Sequence, residues 1–566
     1  MRKISLRWVA LGLATLLIVA LVYLIRSSAT VSEIAELATQ GGEQKLREEM
    51  RPLRPGARVL VFALDGVGAD ELQEGIRSGK APRIQSVLGA EVGAGVFAHG
   101  YAAPEALSIL PSTTMAAWAS VYTGQPPART GVPGNEWFAR EEMKFYAPAP
   151  VSVTESEHTL KMLTDGLVGN AIRTPTLYEL ADVRSHVSLA PVYRGADLFT
   201  NPEPSILVDL FGAAAKGVVS EQTISQKAYQ QVDEESVDTL VEEIEQHGVP
   251  NLQVIYFPGI DLFSHVAETP LEQQPSYLQE VLDPAIGRVL DAYERAGALG
   301  ETYILFIADH GHTPVLADDL HSLGTEGDDE PPSVIRQAGF RLRPFVLEPE
   351  EDKQDYQAAV AYQGAMAYVY LADRSTCPAP GQRCDWKRAP RLEEDVMPVV
   401  RAFHKVNETG EAAPQLKGTI DLIFAREPRP PGEDALPFKI FDGRKLVPIA
   451  DYLKKNSRPD LLKLEERMEG LAAGPYGHRA GDILLLSRSG VERPVEERFY
   501  FSGPYRSWHG SPTAQDSHVP FILARRGDSG ERLRGAVADV VGEKWPSQLD
   551  VVPLILSLLN RQPSPK

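Results

Sequence analysis

The chain is short of cysteine, of basic charge and of long apolar runs, and these shortages exclude several classes of protein. Only two cysteines occur in 566 residues, and hydrophobic residues make up 43%, so a large core can form without disulfide staples. Lys and Arg number 57 against 77 Asp and Glu, a net charge of −20. Without a basic excess to meet phosphates, the chain is not expected to bind nucleic-acid polymers.

One long uncharged run exists, from Trp8 to Ile25, and basic residues precede it. As a helix it would span about 27 Å, near the lower limit for crossing a bilayer. We therefore expect residues 1–26 to be a membrane anchor with the rest of the chain outside the cytoplasm. The alternative is a cleaved signal peptide, for which Ser27 and Ala29 offer a small-x-small cleavage site.

The two cysteines, Cys377 and Cys384, lie in the segment STCPAPGQRCDW. An exported domain is in an oxidising compartment, where two cysteines around Pro and Gly can close a small loop. We expect a disulfide here. A metal site made of this pair alone is not expected, because no further Cys or close His completes it.

Composition divides the remainder into four segments. Residues 27–56 are polar and predict a mostly helical stalk, and residues 57–321 predict the first part of a catalytic core. Charged, loop-like stretches dominate residues 322–480, which we interpret as an inserted cap. The core is expected to resume over residues 481–566.

Three apolar strands are each followed by an acid: RVLVFALDG by Asp65, NLQVIYFPGID by Asp261, and TYILFIADHG by Asp309. Helical stretches separate them, so the pattern predicts an α/β fold with a central, mainly parallel sheet flanked by helices. In such sheets functional groups gather beyond the carboxyl ends of the strands. All three acids are predicted to lie there.

Histidines accompany these acids and extend the set of candidate metal ligands. Spacing supports the set, because His265 lies one helical turn beyond Asp261 and His310 directly follows Asp309. Three carboxylates and three imidazoles suit two zinc-like divalent ions. The candidate ligands are Asp65, Asp261, His265, Asp309, His310 and His509.

A nucleophile candidate lies in LPSTTMAAWASVYTGQPPARTGVPGNEWF. A threonine hydroxyl becomes useful as a nucleophile when a metal lowers its pKa. The plainer interpretation of PSTT is a helix N-cap. Both can hold, because a helix N-terminus also favours a phosphorylated hydroxyl.

Together these segments resemble the alkaline phosphatase superfamily, and within it the type I phosphodiesterase/nucleotide pyrophosphatase group. The resemblance implies an alkaline-phosphatase-like core in which Thr114 is the nucleophile and Asn135 contacts a phosphate oxygen. It also implies two ion sites and a phospho-threonine intermediate. The implied sites are Asp65, Thr114, Asp309 and His310 for the ion at the nucleophile, and Asp261, His265 and His509 for the ion at the leaving oxygen.

Two departures from the family pattern affect this interpretation. His312 replaces the usual Met of the third motif, and we interpret it as a packing or supporting residue rather than an added ligand. Where monoesterases carry a Lys and an Arg, this chain has Val192 and Arg194. Half of that clamp favours diesters, although Arg194 can equally be a salt-bridged surface residue.

The predicted function is therefore hydrolysis of a small phosphate ester, with a diester favoured. A phosphate monoesterase and an inactive binding protein of the same fold are the alternatives.

Overall fold

The computed structural model describes residues 43–155, 157–202, 226–324 and 330–561. The predicted membrane anchor, residues 1–26, lies outside the described residues. Among the helices that are described, none combines the length and the apolar character needed to cross a membrane.

Most described strands belong to two sheets, and helices cover both. The strands are β1 Glu43–Lys45, β2 Arg58–Leu64, β3 Glu91–Gly93, β4 Val96–Phe97, β5 Gly100–Ala102, β6 Trp137–Ala139, β7 Lys144–Tyr146, β8 Ser185–Ser188, β9 Leu198–Thr200, β10 Leu252–Phe257, β11 Thr302–Ala308, β12 Thr313–Pro314, β13 Ala358–Gln363, β14 Met366–Leu371, β15 Ile420–Ala425, β16 Lys439–Phe441, β17 Leu446–Pro448, β18 Ile483–Ser487, β19 Ser507–Trp508 and β20 Phe521–Ala524. The α-helices are α1 Ala69–Arg77, α2 Pro82–Leu88, α3 Thr114–Val121, α4 Pro127–Thr130, α5 Glu157–Thr164, α6 Leu167–Ala171, α7 Leu177–Ala181, α8 Gln226–His247, α9 Gly259–Val266, α10 Pro270–Tyr277, α11 Asp283–Arg295, α12 Pro331–Gln337, α13 Met397–Thr409, α14 Ile449–Lys455, α15 Leu464–Ala472, α16 Ala514–Ser517, α17 Gly530–Val541 and α18 Val551–Leu558.

The central sheet has ten strands in the order β1-β9-β8-β10-β2-β11-β20-β5-β4-β3. Its middle five, from β9 to β11, run parallel. Antiparallel strands extend it on both sides. The α/β fold is confirmed, but the sheet is mixed rather than mainly parallel, because β1 on one side and β20, β5, β4 and β3 on the other are added antiparallel.

Strand register brings the three predicted acids to one edge. Leu64 at the end of β2 pairs with Phe257 at the end of β10 and with Ala308 at the end of β11. These strands are buried along nearly their whole length, which explains their continuous apolar sequences. The chain therefore leaves all three strands at the same level, where Asp65 and Asp309 follow directly.

The segment before the core is not a separate stalk where it is described. Strand β1 pairs antiparallel with β9 and forms the edge of the central sheet. Arg51 then bridges Asp182 and the buried Asp197, at 3.0 and 2.9 Å. The polar sequence of residues 43–56 reflects an edge strand and its ion pairs rather than a helical stalk.

The region interpreted as a cap contains a second sheet of six antiparallel strands, in the order β13-β14-β18-β15-β16-β17. Both faces of β13, β14 and β18 are buried. Strand β18, with which the core was expected to resume, lies in this second sheet. The chain returns to the central sheet only at β20. The sequence does not distinguish the two sheets at β18, because this strand is apolar enough to fill the middle of either one.

The predicted disulfide is confirmed. Cys377 and Cys384 are bonded, with their Cα atoms 4.8 Å apart. Cys377 is fully buried beside the second sheet, so the bond closes a small loop against that sheet.

Candidate active site

A first group of ligand atoms surrounds His310 at the carboxyl edge of the central sheet. Its Nε2 atom lies 3.4 Å from Asp65 Oδ1, 3.4 Å from Asp309 Oδ2 and 3.3 Å from the Thr114 hydroxyl. Two ligands on a tetrahedral zinc ion are about 3.3 Å apart, given bonds of about 2.0–2.1 Å. The spacing of these four side chains fits one such ion.

Hydrogen bonding leaves one inward-facing carboxylate oxygen of Asp65 and one of Asp309 without a partner. Asp309 uses Oδ1 to accept from the backbone N–H groups of Gly66 and His310, both at 3.0 Å. Asp65 uses Oδ2 to accept from Tyr256. The remaining oxygens, Asp65 Oδ1 and Asp309 Oδ2, are buried without a hydrogen bond, which is costly unless a cation binds there.

Electrostatics supports the same conclusion. Burial raises the pKa of Asp65 well above its ordinary value, and the nearby charges of Asp309 and Asp261 raise it further. Three carboxylates held together in a buried site therefore repel each other in the metal-free protein. A divalent cation would reverse this effect, so the donor set fits a metal ion.

A second group consists of Asp261, His265 and His509, whose ligand atoms also converge within 4.8 Å. Helix α9 carries Asp261 and His265 one turn apart, and their facing atoms are 3.6 Å apart. Hydrogen bonds fix both rings, from His265 Nδ1 to the Ser507 carbonyl at 2.7 Å and from His509 Nδ1 to the Ser112 carbonyl at 3.0 Å. Each Nε2 atom is thereby left for an ion.

The imidazoles of this group are neutral at pH 7. Burial lowers the pKa of His265 to about 4, against the opposing effect of Asp261. Burial and the neighbouring His310 lower the pKa of His509 well below its usual value. For Asp261, burial acts to raise the pKa, but His265 and His312 outweigh it and the pKa falls below its ordinary value. Neutral imidazole is the form that binds a metal ion.

His312 lies beside the second group and supports it. Its Nε2 atom is 2.8 Å from Asp261 Oδ1, and its Nδ1 atom is 3.0 Å from Ser507 Oγ. The 2.8 Å contact is shorter than the separation of two ligands on one ion and matches a hydrogen bond. His312 therefore holds Asp261 from behind, so that Oδ2 faces His265.

Asn135 is held beside the nucleophile candidate. Helix α3 begins at Thr114, and the Asn135 side-chain carbonyl accepts from the Met115 N–H at 3.0 Å. This bond uses one of the free donors at the helix start and fixes which way the amide points. The Asn135 amino group is then left as a donor near the start of helix α3.

Sequence reasoning missed Gln363, at the end of β13 in the second sheet. Its side-chain carbonyl accepts from the Asn135 N–H at 2.7 Å, and its amino group donates to the Glu136 carbonyl at 2.5 Å. The next turn also reaches His509, whose carbonyl accepts from Ala365 N–H at 3.0 Å. The only local signal is a Gln-Gly pair between two apolar strands, which is ordinary turn chemistry.

Arg194 is not brought to the site by any contact in the described structure. Its guanidinium donates to the carbonyls of Gly169, Ile172 and Thr174 at 2.6 to 2.8 Å and pairs with Glu179. With its donors used in this way, Arg194 is the salt-bridged residue of the alternative interpretation rather than a phosphate clamp.

The fold and the two ligand groups define an α/β protein with candidate metal sites at the carboxyl edge of its central sheet. The family model for type I phosphodiesterase/nucleotide pyrophosphatase matches residues 59–385. The chain belongs to that family, as its motifs implied, and is a hydrolase acting on phosphoric ester bonds.

Solved structures of ectonucleotide pyrophosphatase/phosphodiesterase 5 are similar to this chain. The murine and human proteins are each 12% identical to it with a TM-score of 0.49, over 90% of this chain and 96% of theirs. An inactive form of the murine protein in complex with AMP gives the same values. No curated protein matches the chain.

Proposed function

We propose that this chain is a two-metal phosphodiesterase that uses Thr114 as its nucleophile. One observation carries the proposal: the Thr114 hydroxyl lies within 3.3 Å of His310 Nε2, beside two buried carboxylate oxygens that have no hydrogen-bond partner. A hydroxyl in that position would share an ion with Asp65, Asp309 and His310. Asp261, His265 and His509 would hold a second ion, and zinc suits this mixture of nitrogen and oxygen ligands.

The reaction consists of two displacements at phosphorus, and Thr114 takes part in both. Thr114 Oγ1 attacks phosphorus as its proton passes to water, the bond from phosphorus to the departing oxygen breaks, and that oxygen takes up a proton from water to leave as the alcohol. A water molecule then displaces Thr114, releases the phosphate monoester and restores the hydroxyl. The bound ions would lower the pKa of the hydroxyl and neutralise charge on the leaving oxygen.

Asn135 contributes by donating to a non-bridging phosphate oxygen. Its carbonyl is already used by the Met115 N–H, so only the amino group can face the ester. The N-terminus of helix α3 adds a second favourable field for the negative phosphoryl group. Both groups are in place before substrate arrives, which is the arrangement that electrostatic catalysis needs.

Location outside the cytoplasm belongs to the same proposal. The apolar run within residues 1–26 supports a membrane anchor, and a cleaved signal peptide would direct the domain to the same side. The Cys377–Cys384 bond supports an oxidising compartment. Periplasmic or extracellular esters are then the substrates within reach.

Hydrolysis of bis-p-nitrophenyl phosphate and p-nitrophenyl phosphate by the zinc-loaded protein tests the proposal. Wild type should prefer the diester, and Thr114→Ala should lose activity on both. Thr113→Ala is the matched control, because the Thr113 hydroxyl is buried without a hydrogen-bond partner. Full activity in Thr114→Ala would contradict the nucleophile, and equal or better turnover of the monoester would contradict the diester preference.

A further inference from the structure

Two aromatic side chains stand beside the second ligand group. The Trp508 ring lies 4.7 Å from the His265 ring, and the Tyr505 ring lies 5.5 Å from it. Tyr505 and Trp508 are themselves 5.5 Å apart and steeply inclined, at 75°. The two rings form a corner around His265.

The Tyr505 side of this corner is open to solvent, unlike the first ligand group. The side chains of Asp65, Asp309 and His310 are at most 2% exposed, whereas that of His265 is 13% exposed. Tyr505 is 39% exposed, and Trp508 is 6% exposed. The mouth of the site is therefore on the His265 side, and Tyr505 lies along it.

The aromatic corner is fixed to the ligand group by backbone hydrogen bonds. Arg506 N–H donates to the His265 carbonyl at 2.9 Å, and His265 Nδ1 contacts the Ser507 carbonyl at 2.7 Å. The Trp508 indole N–H donates to Gly503 at 3.3 Å. The same short loop thus orients His265 and presents both rings, so the rings keep their position relative to the second group.

Reaction geometry decides which part of a substrate meets these rings. Thr114 belongs to the first group, so an in-line displacement puts the leaving oxygen at the second group. The substituent on that oxygen leaves the site at the His265 side. We propose that Tyr505, which packs against the buried Trp508, forms a leaving-group subsite that selects phosphodiesters whose departing alcohol carries a planar aromatic ring.

The rings are close enough to specify where that aromatic group sits. A leaving oxygen bound within the second group would lie about 3.3 Å from His265 Nε2, because both would be ligands of one ion. The Tyr505 ring, 5.5 Å from the His265 ring, is then within reach of an aromatic group attached directly to that oxygen or through one carbon. Stacking of this kind contributes about 0.5–1.5 kcal/mol, which corresponds to a preference of about two- to tenfold.

The inference rests on the proposed function, and a comparison of two esters distinguishes failure of the inference from failure of the proposed function. Methyl phenyl phosphate and methyl hexafluoroisopropyl phosphate release alcohols of similar acidity, but only phenol is a planar ring. Tyr505→Leu should lower kcat/KM for the phenyl ester about three- to tenfold and leave the fluoroalkyl ester unchanged. Tyr505→Phe should restore the preference. Tyr303→Leu is the control, because Tyr303 lies near the opposite end of β11 from Asp309.

A loss in Tyr505→Leu that is equal for both esters, or no loss at all, would overturn the subsite. Wild type that hydrolyses neither ester would contradict the proposed function instead. Calorimetric binding of both esters to zinc-loaded Thr114→Ala protein then decides the subsite without turnover. Tighter binding of the phenyl ester that Tyr505→Leu abolishes supports it, and equal binding of the two esters contradicts it.

Discussion

The two sheets of this protein contribute to one site in different ways. The central sheet supplies candidate ligands directly, since Asp65 and Asp309 follow the last residues of β2 and β11. The second sheet supplies no candidate ligand among the described residues, yet Gln363 at the end of β13 holds Asn135, and Ala365 holds the His509 carbonyl. The central sheet therefore carries candidate ligands, and the second sheet holds residues of the site in place.

The largest effect is expected from the central sheet. Asp309→Asn should lower kcat/KM about a thousandfold, because the first group loses a charged ligand. The same change should stabilise the metal-free protein by about 1 kcal/mol or more, since Asp309 is among the charges that raise the pKa of buried Asp65. Steady-state kinetics and denaturant unfolding in chelator measure the two effects.

The exposed carboxylate Asp318, which pairs with His321, provides the control for this experiment. Asp318→Asn should change neither quantity. Destabilisation of metal-free Asp309→Asn would show that the buried carboxylates do not repel each other as described.

A smaller effect is expected from the second sheet. Gln363→Ala should lower kcat about ten- to a hundredfold, because the Asn135 N–H and the Glu136 carbonyl lose their partner. Zinc content should stay at the wild-type value, since Gln363 contacts no ligand side chain. Kinetics and metal analysis of the same preparation give both results.

Gln357→Ala is the matched control, because Gln357 is a buried glutamine that lies just before the other end of β13. It should destabilise the second sheet without changing kcat. Equal losses of activity in the two variants would mean that the second sheet acts only through overall stability, and the contrast between the sheets would disappear.

The His312→Met variant tests whether His312 supports the second ligand group by its contact with Asp261. Without the N–H that faces Asp261 Oδ1, the second ion should bind about tenfold more weakly, while the first ion is retained. Competition with a zinc chelator measures both affinities. His312→Gln keeps a donor and should recover most of the loss. An unchanged affinity in His312→Met would show that His312 does not support the second ligand group.

Substitution of Asp233 is expected to have the smallest effect on catalysis and a clear effect on the pH dependence of stability. Burial raises its pKa to about 7, against hydrogen bonds from Gly259 and Tyr277. Its folded pKa is above the ordinary 3.8, so its contribution to stability is complete below about pH 4 and is lost as pH rises through 7.

The unfolding free energy of wild type should therefore fall by about 2–4 kcal/mol between pH 5 and pH 8, and Asp233→Asn should remove this fall. Activity at pH 6 should remain within about twofold of wild type, because Asp233 contacts no ligand. Denaturant unfolding at several pH values checks the slope. An unchanged slope would show that Asp233 is ionised in the folded protein.

The two sheets also differ in how far their sequence could predict them. Each central strand carries its acid within a few residues of an apolar run, so Asp65, Asp261 and Asp309 could be recognised locally. Gln363 reaches Asn135 across 228 residues of chain, and no local pattern encodes that contact. The expectation that the core resumes at residue 481 differs from the structure, in which β18 lies in the second sheet, because an apolar run does not specify its neighbours.

Trapping the covalent intermediate tests the central claim most directly. Zinc-loaded enzyme turning over bis-p-nitrophenyl phosphate can be quenched in acid, digested, and its peptides fragmented in a mass spectrometer. The proposed mechanism predicts a p-nitrophenyl phosphoryl group on Thr114, and none in Thr114→Ala protein. The group on Thr113 or on a histidine, or no adduct during rapid turnover, would contradict a mechanism that passes through Thr114.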